Sequence, residues 1–235
     1  MRLVPPVRSV LAFAVLAALA GLAPRAHAQS TTFSDATFAN GDWSVTVEVL
    51  NLGGTATGTQ VATGGNPGSW RQIDNTTNSA IGQPFSNTVY DFHAKSGATF
   101  APASYGPITS IDYAESSQWV TGGVQACGLA LRQNGVIYYG PSFLTPGSFG
   151  TWAPNSQIGL TAATFDALAA GTQNPNFGIG APPVQFGFFR ANSTSVGGAG
   201  GTTTGGIDNW SVVVHFNGAT AVAETSWGRV KGLYR

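Results

Sequence analysis

Hydrophobic and polar residues alternate along Trp43-Ser-Val-Thr-Val-Glu-Val49. Trp43, Val45, Val47 and Val49 share one face; Ser44, Thr46 and Glu48 share the other. Period-two alternation predicts a strand with one buried side. Short strands are also predicted over Ser69 to Ile73, Thr88 to Phe92, Ile108 to Glu115, Val124 to Arg132, Val136 to Tyr139, Ser148 to Trp152, Val184 to Arg190 and Ile207 to Phe216. Asn134-Gly135 predicts a tight hairpin, because both residues tolerate positive φ. Two stretches break the alternation. Gly53 to Pro67 reads as a polar, turn-rich segment, and Gly197 to Gly206 as a flexible loop between strands. Thr161 is placed to cap a short helix over Ala162 to Ala169, with Phe165 and Leu168 on its buried side and Gly171 stopping it. Regular strand spacing with Gly, Pro and Asn punctuation predicts one all-β antiparallel sandwich with one short helix. Trp43 and Trp210 share strand faces with aliphatic residues and are expected in its core.

The N-terminus follows a different pattern. Arg2 and Arg8 precede an uncharged apolar run, and Ala26-His27-Ala28 fits a small-x-small cleavage site. Residues 1–28 therefore read as an export signal, with Gln29 opening the mature chain. The run is shorter than the ~20 residues of a spanning helix. No later run approaches that length, so no transmembrane segment is expected in the mature chain. The expected domain covers residues 29–220, and the location is secreted: periplasmic, cell-surface or extracellular.

Composition narrows the class. Charged residues make up 9% of the 235, with 10 basic and 10 acidic, and there are 32 Gly, 13 Pro and one Cys. So few charges argue against a nucleic-acid partner, and a single Cys excludes a disulfide framework. Losing Arg2, Arg8 and Arg25 with the signal leaves 7 basic against 10 acidic, a formal net charge of −3. Arg229, Lys231 and Arg235 crowd the final residues. With Trp227 and Tyr234 they make 221–235 a basic aromatic tail, either a docking element for sorting machinery or a frayed end.

Gly64-Gly65-Asn66-Pro67-Gly68, followed by Ser69-Trp70-Arg71, resembles a signature near the start of laminin IV type A (laminin B) domains and their bacterial relatives. Pro183 to Phe188 and Gly206-Ile-Asp-Asn-Trp-Ser-Val212 resemble the closing strands of secreted bacterial jelly-roll domains. The resemblance implies a jelly roll, concanavalin-like or galactose-binding-like, akin to carbohydrate-binding modules. It also implies a non-catalytic adhesion or binding role toward a glycan or a matrix or cell-surface polymer. The Cys-rich modules that flank the laminin version are absent. A purely structural surface protein is the bland alternative.

Glycan binding uses aromatic faces for sugar C–H groups and polar side chains for hydroxyls. Trp70, Trp119, Tyr138, Tyr139 and Trp152 lie at strand ends or turns and are the expected ligand-binding residues; core packing is the alternative for each. A glycan hydrolase or lyase needs two facing carboxylates, and Glu48 and Glu115 are the pair available. His93 and His215 neighbour no G-x-S-x-G elbow, and His215 reads as a surface residue. Asp35, Asp208 and Asn209 would meet if the terminal strands pair. They are the candidate ligands for a structural Ca²⁺, the one cofactor considered, with turn capping as the alternative. Cys127 alternates with Leu129 and Leu131 and reads as a buried thiol.

Overall fold

The computed structural model describes residues 28–218. Residues 1–27 of the expected leader, and the tail, lie outside the described residues. In chain order the strands are β1 (Ala28–Asp35), β2 (Trp43–Leu50), β3 (Gly54–Gly65), β4 (Gly68–Thr77), β5 (Asn87–Phe100), β6 (Ile108–Thr121), β7 (Ala126–Gln133), β8 (Val136–Tyr139), β9 (Phe143–Leu144), β10 (Ala153–Leu160), β11 (Val184–Thr194) and β12 (Gly201–Asn217). A single helical turn, α1 (Pro102–Tyr105), joins β5 to β6.

These strands form two antiparallel sheets packed as a jelly-roll sandwich. The first sheet runs β10–β6–β12–β4–β3. The long β12 is its spine: β4 pairs with Gly201 to Ile207, and β1 continues along the same edge from Trp210 to Asn217. The second sheet runs β2–β5–β11–β7, with β8 and β9 end to end along the far edge of β7. Inward side chains of both sheets form the core. Trp43 meets Trp210 edge-on at 5.2 Å between ring centroids, and both are buried, as their strand faces predicted. Burying one such side chain stabilises by about 1.5–3 kcal/mol. Asn134 (φ 51°) and Gly135 (φ 81°) make the expected β7–β8 hairpin.

Four expectations fail, each for a physical reason. The polar stretch from Gly53 is the edge strand β3, with Thr55, Thr57 and Thr59 on its solvent side. A Cβ on Gly58 would lie 2.6 Å from the Arg71 guanidinium, so the glycine is demanded by packing and does not signal a turn. The expected loop Gly197 to Gly206 becomes the start of β12 at Gly201. There Gly205 and Gly206 make room for Gln125 and the Trp70 ring, which a Cβ would approach to 2.1 and 2.8 Å. The helix expected over 162–169 is only a 3₁₀ turn, Ala162–Thr164, with no side-chain cap from Thr161. Phe165 is drawn into the core, and the Asp166 backbone pairs with Tyr139 before a second turn can close. The fold's short helix is α1, opened by Pro102, whose fixed φ suits a first turn. Ser148 to Trp152 is also not a strand. Phe149 makes an isolated bridge to Trp119, Gly150 turns the chain at φ 68°, and pairing begins at Ala153.

Candidate functional site

The outward face of the second sheet carries a second hydrophobic cluster, separate from the core. Phe92, Ala94, Ala130, Ile137, Tyr139, Phe189 and Ala191 form it, with Tyr90, Ala126 and Leu168 packed against it. It follows from strand register. Tyr139 lies opposite Ala130, and Phe189 opposite both Phe92 and Gly128, on the side of these strands that points away from the core. A Cβ on Gly128 would lie 2.7 Å from the Phe189 ring, so only glycine lets this ring lie flat on β7.

Tyr90, Tyr139 and Phe189 form an aromatic triangle, with centroid separations of 5.1, 5.3 and 6.3 Å. Tyr139 donates its hydroxyl to Glu48 Oε2 at 2.6 Å. Burial, then the carboxylate, push the Tyr139 pKa far up, so the phenol stays a donor. Arg132 lies over Phe92 and donates to Gln185 Oε1 at 2.6 Å. Three depressions follow one another along β5 and β11. The middle one, about 220 Å³, is lined by the triangle, Ser142, Asp166 and Leu168. It shares Tyr90 and Ala126 with a neighbour of about 340 Å³ that reaches Asn192 and Ser193. A third, about 300 Å³, lies between Ser44, Ala94 and Gln185. From Thr88 to Ser96 this track is ~27 Å long at the usual rise per strand residue. Aromatic C–H-accepting faces flanked by carboxylate, guanidinium, amide and hydroxyl groups suit an extended, hydroxyl-rich ligand.

Of the residues singled out in the sequence, Tyr139 and Glu48 meet here. The others do not join them. Tyr138 points the opposite way, into the core, at 7% exposure. Trp70 and Trp152 pack edge-on at 5.7 Å on the outer side of the other sheet. Their indole N–H groups donate to Thr63 O and Gly64 O, so both rings pin the β3–β4 hairpin. Trp119 donates to Gly122 O and lies edge-on to the exposed Phe149. Glu115 is buried between the sheets, so it cannot face Glu48 across a substrate. Its partners are Arg190, through two bonds of 2.8 and 3.1 Å, and the Tyr113 hydroxyl, which donates to the same carboxylate. The carboxylate pair considered for hydrolysis is therefore not assembled.

The terminal strands do pair, and Asp35 lies opposite Trp210. Its oxygens are nevertheless taken. Oδ1 accepts from Thr37 and Phe38, and Oδ2 from Trp43 Nε1 at 2.9 Å and Lys95 Nζ at 3.1 Å. Burial would raise its pKa, but these donors hold it well below the ordinary carboxylate range. Asp208 accepts from the backbone N–H groups of Asn66 and Asn209, and Asn209 donates to Asn66 O. Backbone N–H donors on both carboxylates are the pattern of turn capping, and Asp35 is in addition paired with an ammonium. The same bonds join the two sequence stretches that carried the family resemblance. The GGNPG hairpin sits on the Asp208-Asn209 bulge of β12, where a Cβ on Gly65 would lie 2.7 Å from Asp208 Oδ2.

The sequence reading missed a polar network inside the sandwich. Asn75 donates to Asp91 at 3.0 Å, Gln125 to Asn75 at 2.9 Å, and Arg71 Nε to His93 Nδ1 at 3.4 Å, while His93 Nε2 bonds Asp91. Burial, opposed by the neighbouring Asp91, holds the His93 pKa below its usual value; its ring stacks on Phe188. Burial opposes the Arg190 charge, but the Cys127 sulfur and the Glu115 carboxylate outweigh it and raise its pKa. Cys127 is buried, as read, and desolvation pushes its thiol up to about 12. His215 is half exposed beside Asp112, at 2.8 Å. The available signal was parity: Arg71, Asp91, His93 and Arg190 fall on the inward phase of their strands.

No protein-family model and no curated protein matches the chain. Among solved structures it is similar to a family 11 carbohydrate-binding module from Clostridium thermocellum, described in complex with a β-1,3-1,4-mixed-linked tetrasaccharide. That match has a TM-score of 0.45 and 11% identity, covering 78% of this chain and 94% of that one. A xylan-binding domain from carbohydrate-binding module family 22 aligns with a TM-score of 0.38 and 12% identity, over 81% and 96% of the two chains. A xylan-binding domain from Paenibacillus barcinonensis gives 0.36 and 10%, over 82% and 97%.

Proposed function

We propose that this is an exported, non-catalytic carbohydrate-binding protein that holds a glycan chain along the outward face of its second sheet. The observation that carries the reading is the Tyr90–Tyr139–Phe189 triangle, set in a track edged by Glu48, Arg132, Asp166 and Gln185. Sugar C–H faces rest on the rings, and the edging groups receive hydroxyls. Glu48 acts as an acceptor held by Tyr139. Glu115, the carboxylate that was to act with it in cleavage, is buried between the sheets on Arg190, which supports binding without cleavage. The basic tail from Trp227 is proposed to serve sorting and not ligand contact.

The test is calorimetric titration of the purified protein with soluble mixed-linkage β-glucan, xylan and galactan. Tyr90→Ala is expected to weaken binding about tenfold, the loss of roughly one aromatic contact. Glu48→Gln, which keeps the shape but not the charge, is expected to weaken it less. No new reducing ends should appear on prolonged incubation. Unchanged affinity in Tyr90→Ala would overturn the placement of the site, and release of oligosaccharides would overturn the non-catalytic reading.

A further inference from the structure

We infer a second, independent sugar site at the open corner of the sandwich, taking a neutral sugar unit between β1 and α1. The corner arises from strand lengths. β2 pairs with β5 only between Thr88 and Lys95, so among the described residues the end of β5, Gly97 to Phe100, has no paired strand on that side. In the facing sheet, among the described residues, β1 pairs only with β12, so no described strand covers its second edge. Between these two free edges lies a cavity of about 400 Å³, within the size range of small-ligand pockets.

Its floor and wall repeat the chemistry of the first site with different residues. Phe100 and Phe216 are buried, 4.9 Å apart, and Tyr105 stands over them at 5.4 and 6.4 Å. Tyr105 is 56% exposed, yet it is held by a closed turn. Its own N–H donates to Ala101 O, and Gly106 N–H to Pro102 O. These bonds fix the backbone of the turn, and the contacts with Phe100 and Phe216 place the ring. The rim is amide and hydroxyl: Gln29, Ser30, Thr31 and Thr99. Among the described residues the lining holds no charged side chain.

A neutral ring with one C–H face and a girdle of hydroxyls matches an aromatic floor under a polar, uncharged rim. The open backbone edge of β1 adds further donors and acceptors. An alkyl chain would match the floor but leave the rim groups unpaired, which is costly once they are buried. An anionic sugar would find no cation.

Amide chemical shifts test this, with cellotetraose, xylotetraose and galactotetraose as probes. The Thr31, Thr99 and Tyr105 amides are expected to shift saturably with at least one of them. The shifts should persist in Tyr90→Ala and weaken about tenfold in Tyr105→Ala. Tyr105→Phe, which keeps the ring, should restore binding. Because Tyr105 is mostly exposed, its loss leaves the fold intact, read by unchanged core methyl shifts. The inference is overturned if these amides stay still with all three probes at millimolar concentration, or if they respond to octanoate and to no sugar. Failure at Tyr90 and Ala126 alone would count against the first site and leave this one standing.

Discussion

The two ends of the sandwich interior have opposite chemistry. Along β11 the inward positions run Val184, Phe186, Phe188 and then Arg190, Asn192, Thr194. β7 changes from Leu131 and Leu129 to Cys127, beyond which Gln125 is buried, and β6 from Ile111 and Tyr113 to Glu115. One end is a hydrocarbon core cemented by Trp43, Trp210 and Phe186. The other is a polar interior in which each charged side chain has a hydrogen-bond partner, although Gln125 Oε1 and Arg190 Nε are left without one among the described residues. Alternation specifies which side chains point inward and says nothing about whether the inside is apolar. A buried polar half is tolerated only while its groups remain paired.

The largest effects should come from unpairing that half. Arg190→Ala leaves the buried Glu115 carboxylate with the Tyr113 hydroxyl but without its cation and is expected to cost about 3–5 kcal/mol in urea unfolding. Phe186→Ala, in the apolar half, should cost a similar ~3–5 kcal/mol through its cavity. The two halves then separate by rescue. Glu115→Leu in the Arg190→Met background should recover most of the stability, because replacing both charges removes the desolvation cost. No single second substitution should rescue Phe186→Ala. If the double variant is as unstable as Arg190→Ala, the polar half is held by packing and the comparison loses its basis.

A middle-sized effect is expected where the first sheet meets its covering hairpin. Gly206→Ala forces the new methyl against the Trp70 ring and Gln118. It should destabilise by about 1–3 kcal/mol without altering ligand affinity at the second sheet. Thermal unfolding and titration of the same sample read both.

Much of the architecture was legible in the sequence, because a strand with one buried side carries its alternation openly. The segments beginning at Trp43, Val184 and Ile207 are examples. What stayed hidden has one cause in two forms. Glycines that read as turns at Gly58, Gly205 and Gly206 are clearances for side chains brought from distant strands, and no local pattern encodes such a neighbour. Likewise Tyr138 and Tyr139 are adjacent in sequence and chemically alike. Only strand register decides that one fills the core while the other joins Glu48 on the outer face. Tyr90 and Phe189 were missed because mid-strand aromatics read as core, and a sheet with two apolar faces breaks that inference.

The smallest effect is a pH dependence that again separates the two halves. His93 faces Asp91, Arg71 and Arg190, and stacks on Phe188. Its folded-state pKa lies below the ordinary value of 6.5, so the unfolded chain binds the proton first. Stability from this group is complete above pH 6.5 and falls as the pH drops below it, by at most about 1.4 kcal/mol per pH unit for one proton. Asp35, at the apolar end, is also depressed, so its contribution is complete above pH 3.8 and is lost only below that. His93→Gln keeps an amide donor toward Asp91 and removes the titration. Urea midpoints measured between pH 7 and 5 should therefore slope in the wild type and flatten in His93→Gln. Asp35→Asn should leave that window unchanged and alter only the more acidic one. A slope between pH 7 and 5 that survives His93→Gln would place the titrating group elsewhere and remove His93 from the account of the polar half.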